Sequence, residues 1–362
     1  MKNILLILFF ILIPKQANSQ VSEYNKTIYM DSTWNETTKK KHSFYRVIED
    51  YYSEKDNYQI KDYYKSGHLL MAGSSKNKEE WYKEGEFISF YENGNKKSVS
   101  NYIKGRKTGS ESEWFENGNK KIDLNYTNYK LDGPMQQYYE NGQLKSSSNF
   151  TDGLLDGKET KWYENGNKKI EGEYFRDKKN NTSKFVINQF WDDNGLQKVI
   201  DGNGDYEEIN KNRYESGKVK TGLKNGVWKG YDNNVGYTFE EIYADSKLIS
   251  GTSIDINKIA HNYTLKELKP CPKKGMNDFY THIAKTFKGP TIPGLKGKVF
   301  VKFIIENDGS IKDIKVLRDT GYGSGDEAIR AVSSYKDWSP GEQRGIKIRA
   351  TYSLPITINN SN

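Results

Sequence analysis

The chain has 362 residues, enough for two or three domains, and a formal net charge of +8. Aromatic residues make up 14% of the sequence against 34% for all hydrophobic residues, a composition that favours thin β-sheets over one large core. A single cysteine, Cys271, excludes an intramolecular disulfide framework, and the four histidines have no metal-ligand spacing. We therefore predict neither a metal site nor a cofactor.

The chain begins with MKNILLILFFILIPKQANSQ. Basic Lys2, the apolar run at 4–13 and the small residues before Gln20 are the three parts of a secretory signal peptide, so we expect 1–19 to be removed. The apolar run is shorter than the roughly 20 residues that a bilayer span requires. A retained membrane anchor is the alternative. Export argues against nucleic acid as a partner of this basic chain, and we expect no integral membrane span in the mature protein.

The next feature is a repeat. The segment YENGNKK, which begins at Tyr91, returns at intervals of 24 residues as FENGNKK, YENGQLK and YENGNKK. Asn-Gly favours a type I′ turn, in which both central residues have positive φ. A second glycine column precedes the turn glycines by nine residues: Gly85, Gly109, Gly133 and Gly157. Two chain reversals per unit follow, so each unit is predicted to be one β-hairpin with a link to the next.

Aromatic and lysine columns run through these hairpins. Equivalent strands of neighbouring units lie about 10 Å apart, a gap that large rings can bridge, so the array is expected to be stabilised by stacking of unit on unit. The lysines could face an anionic partner or form a solvated row that protects an edge, and we favour the solvated row. The lysine column is Lys97, Lys121, Lys145 and Lys169, and one of the aromatic columns is Tyr91, Phe115, Tyr139 and Tyr163.

From Gly85 to Tyr174 the sequence resembles the bacterial variant of the MORN repeat, whose units carry a Tyr-Glu-Asn-Gly turn and a second glycine-centred turn. Weaker copies on both sides extend the predicted array to 61–245. An amino-terminal lead segment at 20–60 precedes it. The fold class predicted for this part is an all-β repeat array of antiparallel hairpins.

The composition changes after Ile254, where most of the prolines are found. We predict a linker at 246–269 and a separate domain at 270–359. Its segments read as a helix near 277–287, the hairpin GKVFVKFIIENDGSIKDIKVLR, the helix GDEAIRAVSSYKDW and a final strand IKIRATYSLPITI. This order predicts a small α+β domain with an antiparallel sheet.

Three motifs, DGSIKDIKVLR, DEAIRAV and WSPGEQRG, occur in this order and closely resemble the C-terminal domain of the TonB energy-transducer family. The resemblance covers Pro270 to Asn359. It implies a periplasmic domain that binds outer-membrane receptors by pairing a strand with the short amino-terminal box of the receptor. Family members that transduce energy also keep an amino-terminal membrane helix and a proline-rich span across the periplasm. In place of these two segments, this chain has a predicted signal peptide and the repeat array.

We interpret the chain as an exported periplasmic binding or scaffold protein rather than an enzyme, because no nucleophile, base or metal set is clustered in the sequence. The alternative is an energy transducer that keeps its leader as a membrane anchor. The expected partner is an envelope protein, most simply a TonB-dependent outer-membrane receptor. The final strand, Ile346 to Ile358, is expected to have one unpaired side. The residues predicted to bind the partner strand are Ile346, Lys347, Ile348, Arg349, Ala350, Thr351, Tyr352 and Ser353.

Overall fold

The computed structural model describes residues 24–80 and 82–360, which divide into two compact units between Phe185 and Val186. Most of the chain forms antiparallel β-hairpins, and a small α+β region follows at the carboxyl end, which confirms the predicted fold class. The predicted signal peptide lies outside the described residues.

The first unit is a succession of antiparallel strands in which each hairpin pairs with the next. Hairpins begin within the predicted lead segment at 20–60, because β1 and β2 pair there. The strands are β1 Lys26–Met30, β2 Phe44–Ile48, β3 Tyr58–Tyr64, β4 Leu69–Ser75, β5 Lys83–Phe90, β6 Lys96–Ile103, β7 Arg106–Trp114, β8 Lys120–Thr127, β9 Lys130–Leu131, β10 Gly133–Tyr138, β11 Leu144–Thr151, β12 Leu154–Leu155, β13 Gly157–Trp162, β14 Lys168–Asp177 and β15 Thr182–Trp191, of which β15 crosses into the second unit.

The Asn-Gly turns are not the predicted type I′ turns. The Gly94 N–H donates to the Tyr91 carbonyl at 2.9 Å, and Gly94 has a φ of 90°, but Asn93 is not among the residues with positive φ. The register between β5 and β6 shifts by one residue beside this turn. The turn is therefore an ordinary β-turn followed by a glycine bulge, which requires positive φ at one residue only. Asn93 uses its side chain instead, accepting the Asn95 N–H at 2.9 Å.

Type I′ turns occur at the other end of each hairpin, where Asp152 and Gly153 have φ of 53° and 86°. The second glycine column does not reverse the chain, contrary to the prediction. Gly109 lies inside β7 with a φ of 64°, where Ser100 pairs with Glu111 but Asn101 pairs with Thr108, so it belongs to a bulge. The remaining turns with two positive φ values in this stretch are Lys104–Gly105 and Asn128–Tyr129.

Polar bonds connect each repeat to the one after it. The Tyr91 hydroxyl donates to the Trp114 carbonyl at 2.8 Å, and the Asn95 side-chain amide donates to the Glu116 carbonyl at 2.8 Å. The same bonds recur one or two units later, from Asn119 to the Glu140 carbonyl and from Tyr139 to the Trp162 carbonyl. Large side chains thus bridge neighbouring units, as expected from the aromatic columns.

The turn glycines should matter more for stability than the lysine column. Gly118 has a φ of 90°, so Gly118→Val places a β-branched side chain in the left-handed region at a cost of about 1–2 kcal/mol or more. Lys121 is exposed and contacts Glu113 at 2.9 Å, so Lys121→Ala removes a surface ion pair worth under about 0.5 kcal/mol. Thermal denaturation of both variants measures the difference, and equal melting temperatures would contradict the hairpin interpretation.

The second unit contains more antiparallel hairpins and then the α+β region. Residues 246–269, for which the sequence predicts a linker, hold β21, β22 and β23, and β21 pairs with strands on both sides. The elements are β16 Gln197–Ile200, β17 Asn203–Asn210, β18 Arg213–Lys220, β19 Leu223–Asp232, β20 Tyr237–Ala244, β21 Lys247–Asp255, β22 Ala260–Tyr263, β23 Glu267–Leu268, β24 Cys271–Pro272, α1 Met276–Thr286, β25 Lys296–Ile305, β26 Ile311–Arg318, α2 Ser324–Ser333, β27 Trp338–Ser339, β28 Gly341–Gln343, β29 Ile346–Ile348 and β30 Ala350–Asn359.

The α+β region has the predicted element order, with both helices present and a sheet in the order β26, β25, β30. Its core is formed by the inward face of the sheet and the two helices, where Phe279, Phe303, Val332 and Trp338 have no exposed surface. Burial of large rings and β-branched side chains of this kind provides most of the stabilisation of a small domain.

The predicted single strand from Ile346 to Ile358 is divided. Its first part, β29, pairs with β28, whereas β30 pairs with β25. Arg349 lies between the two, and its guanidinium contacts the Glu306 carboxylate at 2.9 Å just beyond the end of β25. The chain therefore changes partner strand at Arg349, because β25 ends at Ile305.

Candidate functional site

The last strand, β30, is an edge of its sheet. Its register with β25 runs without a shift from Lys296 opposite Asn359 to Ile305 opposite Ala350. Among the described residues, no strand pairs with the other side of β30. A regular, unpaired side of this kind presents backbone donors and acceptors in the spacing that an added strand requires.

The backbone direction of each β30 residue follows from one bond at its end. The Asn360 N–H donates to the Leu295 carbonyl at 3.0 Å, so the backbone groups of Asn360 point towards β25. Backbone groups alternate between the two sides of an antiparallel strand, and the register is unbroken. Those of Thr351, Ser353 and Pro355 therefore point outward. Pro355 has no N–H. Because its backbone nitrogen points outward, the ladder with β25 loses no hydrogen bond.

All the residues predicted to bind a partner strand lie on strands at sheet edges or between them. Ala350 to Ser353 are on β30, Ile346 to Ile348 form β29 at the end of a separate small sheet, and Arg349 joins the two. The alternation of exposure continues unchanged through Arg349, so that Lys347, Arg349, Thr351 and Ser353 are all exposed.

The opposite edge of the sheet, β26, differs in regularity. Its register with β25 shifts twice, and Asp313 within it has a φ of 50°. Exposed Lys312 and Lys315 flank this irregularity. Bulges and edge lysines hinder the pairing of another strand, so β30 is the better template of the two edges.

A buried ion cluster, which the sequence analysis missed, fastens the α+β region to the hairpins before it. Glu241 on β20 has no exposed surface. Its carboxylate accepts hydrogen bonds from Arg344 Nε at 2.7 Å, the Tyr243 hydroxyl at 2.7 Å and the Tyr263 hydroxyl at 2.8 Å. Lys266 Nζ lies 3.4 Å from the same carboxylate. The buried charge is thus paired and hydrogen-bonded, as burial of a charge requires.

Arg344 lies in the turn between β28 and β29, six residues before β30 begins. It also donates to the Tyr237 hydroxyl at 2.9 Å, and its guanidinium lies 3.9 Å from the centre of the Phe239 ring. The Ser253 hydroxyl donates to the Arg344 carbonyl at 2.7 Å. These contacts hold the β28–β29 turn against β20 and β21.

The charges of the cluster set the pKa of Glu241. Burial alone would raise this pKa, but the hydrogen bonds from Arg344 and Tyr243 and the positive charges of Arg344 and Lys266 together lower it to about 2. Burial and the contact with the Glu241 carboxylate both raise the pKa of the Tyr243 and Tyr263 hydroxyls. The tyrosines therefore stay neutral donors, and Glu241 stays ionised at neutral pH.

One other pair of side chains, a serine and a histidine, has the residue types of a nucleophile and its general base. The Ser334 hydroxyl lies 2.7 Å from His282 Nε2 at the end of α2. The same hydroxyl donates to the Ala331 carbonyl at 2.7 Å, a local bond that ties it to the end of α2. In the described ranges no three His, Cys, Asp or Glu residues lie together as a metal site would require, and none of the helices there is long and apolar enough to cross a membrane.

Comparison with protein families gives two matches. Residues 293–358 match the family model of the Gram-negative bacterial TonB protein C-terminal domain. Four consecutive segments, 83–104, 107–128, 131–152 and 155–175, match the MORN repeat variant. Both resemblances seen in the sequence are confirmed, and together they support a TonB-like protein of the Gram-negative envelope with repeats. No curated protein matches the chain.

Proposed function

We propose that this protein is an exported periplasmic binding or scaffold protein whose TonB-like domain adds an extended segment of an envelope partner to β30. The amino-terminal segment of a TonB-dependent outer-membrane receptor is the proposed partner segment. The observation that carries the proposal is the unbroken register of β30 with β25 together with the unpaired outer side of β30.

Main-chain bonds supply affinity in this mode of binding, and side chains supply preference. The outward N–H and carbonyl groups of Thr351, Ser353 and Thr357 would form the ladder. Exposed Lys347 lies just before the start of this strand and would attract an acidic residue of the partner. In antiparallel addition the carboxyl end of the partner segment lies beside Lys347, so an acidic residue is preferred at that end. In parallel addition the preferred position is the amino end.

The scaffold role is supported by the buried cluster. Because Arg344 connects the β28–β29 turn to Glu241 on β20, the chain that leads into β30 is anchored to the hairpins of the second unit. Binding is proposed in preference to catalysis because the regular, unpaired side of β30 supports strand addition directly.

Hydrogen exchange tests the proposal with the full mature chain. Synthetic peptides from the amino-terminal segments of outer-membrane receptors of the same genome are titrated into the protein, with scrambled peptides as controls. Residues 350–359 are expected to gain protection, because the outward amides become bonded, while 311–318 on the opposite edge should not change. Protection of β26 alone, or of neither edge by any bound peptide, would reject strand addition at β30.

A further inference from the structure

The two helices of the TonB-like domain pack on the same face of its sheet, against the buried alternate residues of β25 that begin with Val299 and end with Ile305. The intervening side chains of β25 point to the opposite side, together with the residues of β26 that pair with them. We call this side the outer face. Its exposed side chains include the cations Lys298, Lys302, Lys315 and Arg318 and the apolar Phe300 and Leu317.

The four cations of the outer face are uncompensated. Two carboxylates lie on or beside the same strands, those of Glu306 and Asp313, and both contact Arg349 instead. Asp319, which directly follows β26, accepts the Gly321 N–H at 3.1 Å. Among the residues that the structure describes, none of the four cations forms an ion pair. The outer face is therefore a surface of concentrated positive charge.

Lysines of the repeat array show the contrast. Lys107 contacts the buried carboxylate of Glu111, and Lys161 Nζ lies 3.0 Å from the buried carboxylate of Glu159. These cations offset a negative charge that belongs to the same sheet. The cations of the outer face have no such charge to offset, so the structure leaves them available to a partner.

The positions of two of these cations are costly to the fold. Lys302 lies directly opposite Lys315 in the register of β25 and β26. Like charges in opposite positions repel each other and destabilise a sheet. Protection of a sheet edge accounts for Lys315 but not for Lys302, because β25 is the central strand. The retained repulsion points to an anionic partner.

The apolar side chains identify the kind of anionic partner. Phe300 is 36% exposed and lies between Lys298 and Lys302 on the same side of β25. Leu317, the bulged residue opposite Phe300, is 62% exposed. An acidic peptide would meet the cations alone, whereas a bilayer interface offers anionic headgroups above apolar chains and meets both. A second copy of the domain would bring the same positive face against itself.

We propose that the outer face binds the surface of a membrane that carries anionic phospholipid, with the four cations at the headgroups and Phe300 and Leu317 inserted between them. This inference is independent of strand addition, which uses the edge of β30 and not the face of the sheet. A domain bound in this way lies with its sheet along the membrane, so the edge of β30 stays open to a peptide.

Co-sedimentation with vesicles tests the inference on the full mature chain. Vesicles of equal parts phosphatidylglycerol and phosphatidylcholine should bind the protein, and vesicles of phosphatidylcholine alone should bind it much more weakly. Binding should also weaken when the salt concentration rises from about 0.1 M to about 1 M, because the Debye length falls from about 10 Å to about 3 Å. Equal binding to both kinds of vesicle, or binding to neither, would overturn the proposal.

The double variant Lys298→Gln, Lys302→Gln removes two charges from the outer face. It is expected to bind the anionic vesicles about twentyfold more weakly, at about fivefold for each basic residue near such a surface. The matched control is Lys285→Gln, Lys336→Gln, which changes the net charge equally at exposed lysines in α1 and just after α2. Its affinity should stay within about twofold of the original. Equal affinities of the two double variants would contradict the assignment to the outer face.

Leu317→Ser separates a membrane from an acidic protein as the partner. It is expected to weaken vesicle binding about fivefold, because one apolar side chain no longer enters the interface. Unchanged vesicle binding by this variant, or tighter binding of polyglutamate than of anionic vesicles by the unmodified chain, would overturn the membrane assignment. Circular dichroism establishes that each variant is folded. Receptor peptides should bind the Lys298→Gln, Lys302→Gln variant normally, which separates this surface from the edge of β30.

Discussion

Replacing Ser353 by proline should weaken the binding of an extended peptide to β30 at least tenfold while the domain stays folded. The Ser353 N–H points away from β25, so its loss leaves the native ladder intact and removes one donor from the partner. The proline ring also occupies the outer side of the strand, where the incoming chain must approach. Pro355 already occupies the equivalent position two residues later, which shows that the fold accepts proline there.

Ser353→Ala is the matched control, because it removes the exposed hydroxyl and keeps the backbone donor. Its affinity for a receptor-derived peptide, measured by fluorescence polarisation, should stay within about twofold of the original, a difference of about 0.4 kcal/mol. Thermal denaturation establishes that both variants are folded. A folded proline variant that binds the same peptide with unchanged affinity would exclude β30 as the binding edge.

Arg344→Ala is expected to destabilise the second unit by about 3–5 kcal/mol, the usual cost of leaving a buried charge without its partner. Glu241 would keep Lys266 at 3.4 Å but lose the Arg344 guanidinium at 2.7 Å. The matched control is Lys218→Ala, which breaks an ion pair with Asp205 in which both side chains are more than 70% exposed. That change should cost under about 1 kcal/mol. Urea denaturation of both variants measures the difference, and equal midpoints would refute the role given to the cluster.

Acid provides a second measure of the same cluster. The pKa of Glu241 in the folded chain is about 2, below its ordinary value of 4.5, so the stabilising contribution is complete above about pH 4.5 and is lost as the pH falls towards 2. A depression of this size corresponds to about 3 kcal/mol for this fully buried carboxylate. Stability measured between pH 6 and 2 should therefore fall less steeply in Glu241→Gln than in the unmodified chain.

The sequence predicted the repeats well because a hairpin is a local structure. The 24-residue interval and the Asn-Gly pairs were enough to identify the array. The turn type was wrong because a glycine bulge and a type I′ turn both require glycine after asparagine, and only the backbone shows that Gly94 alone has positive φ. The bulge at Gly109 was taken for a chain reversal for a similar reason, since positive φ is common to both.

Features that depend on contacts between distant parts of the chain were harder to predict from the sequence. The order of helices and strands in the TonB-like domain follows from local periodicity and was correct, but the division of the last strand at Arg349 depends on where β25 ends. In YTFEEIYA, Glu241 lies on the same face as Tyr237 and Phe239, which signals a buried carboxylate. Nothing in the sequence identifies Arg344, 103 residues further on, as its partner.

The alternation of carboxylate and apolar residues along the array has a consequence for how such a chain can change in length over evolution. Phe87, Glu111, Met135 and Glu159 occupy equivalent positions, so the carboxylate returns at every second unit. Duplication of one unit would keep every hairpin intact and yet move Glu111 and Glu159 apart by two strand spacings, about 10 Å. Duplication of two adjacent units preserves the alternation. Counted with its carboxylates, the array therefore repeats every two hairpins, although the unit that folds is a single hairpin.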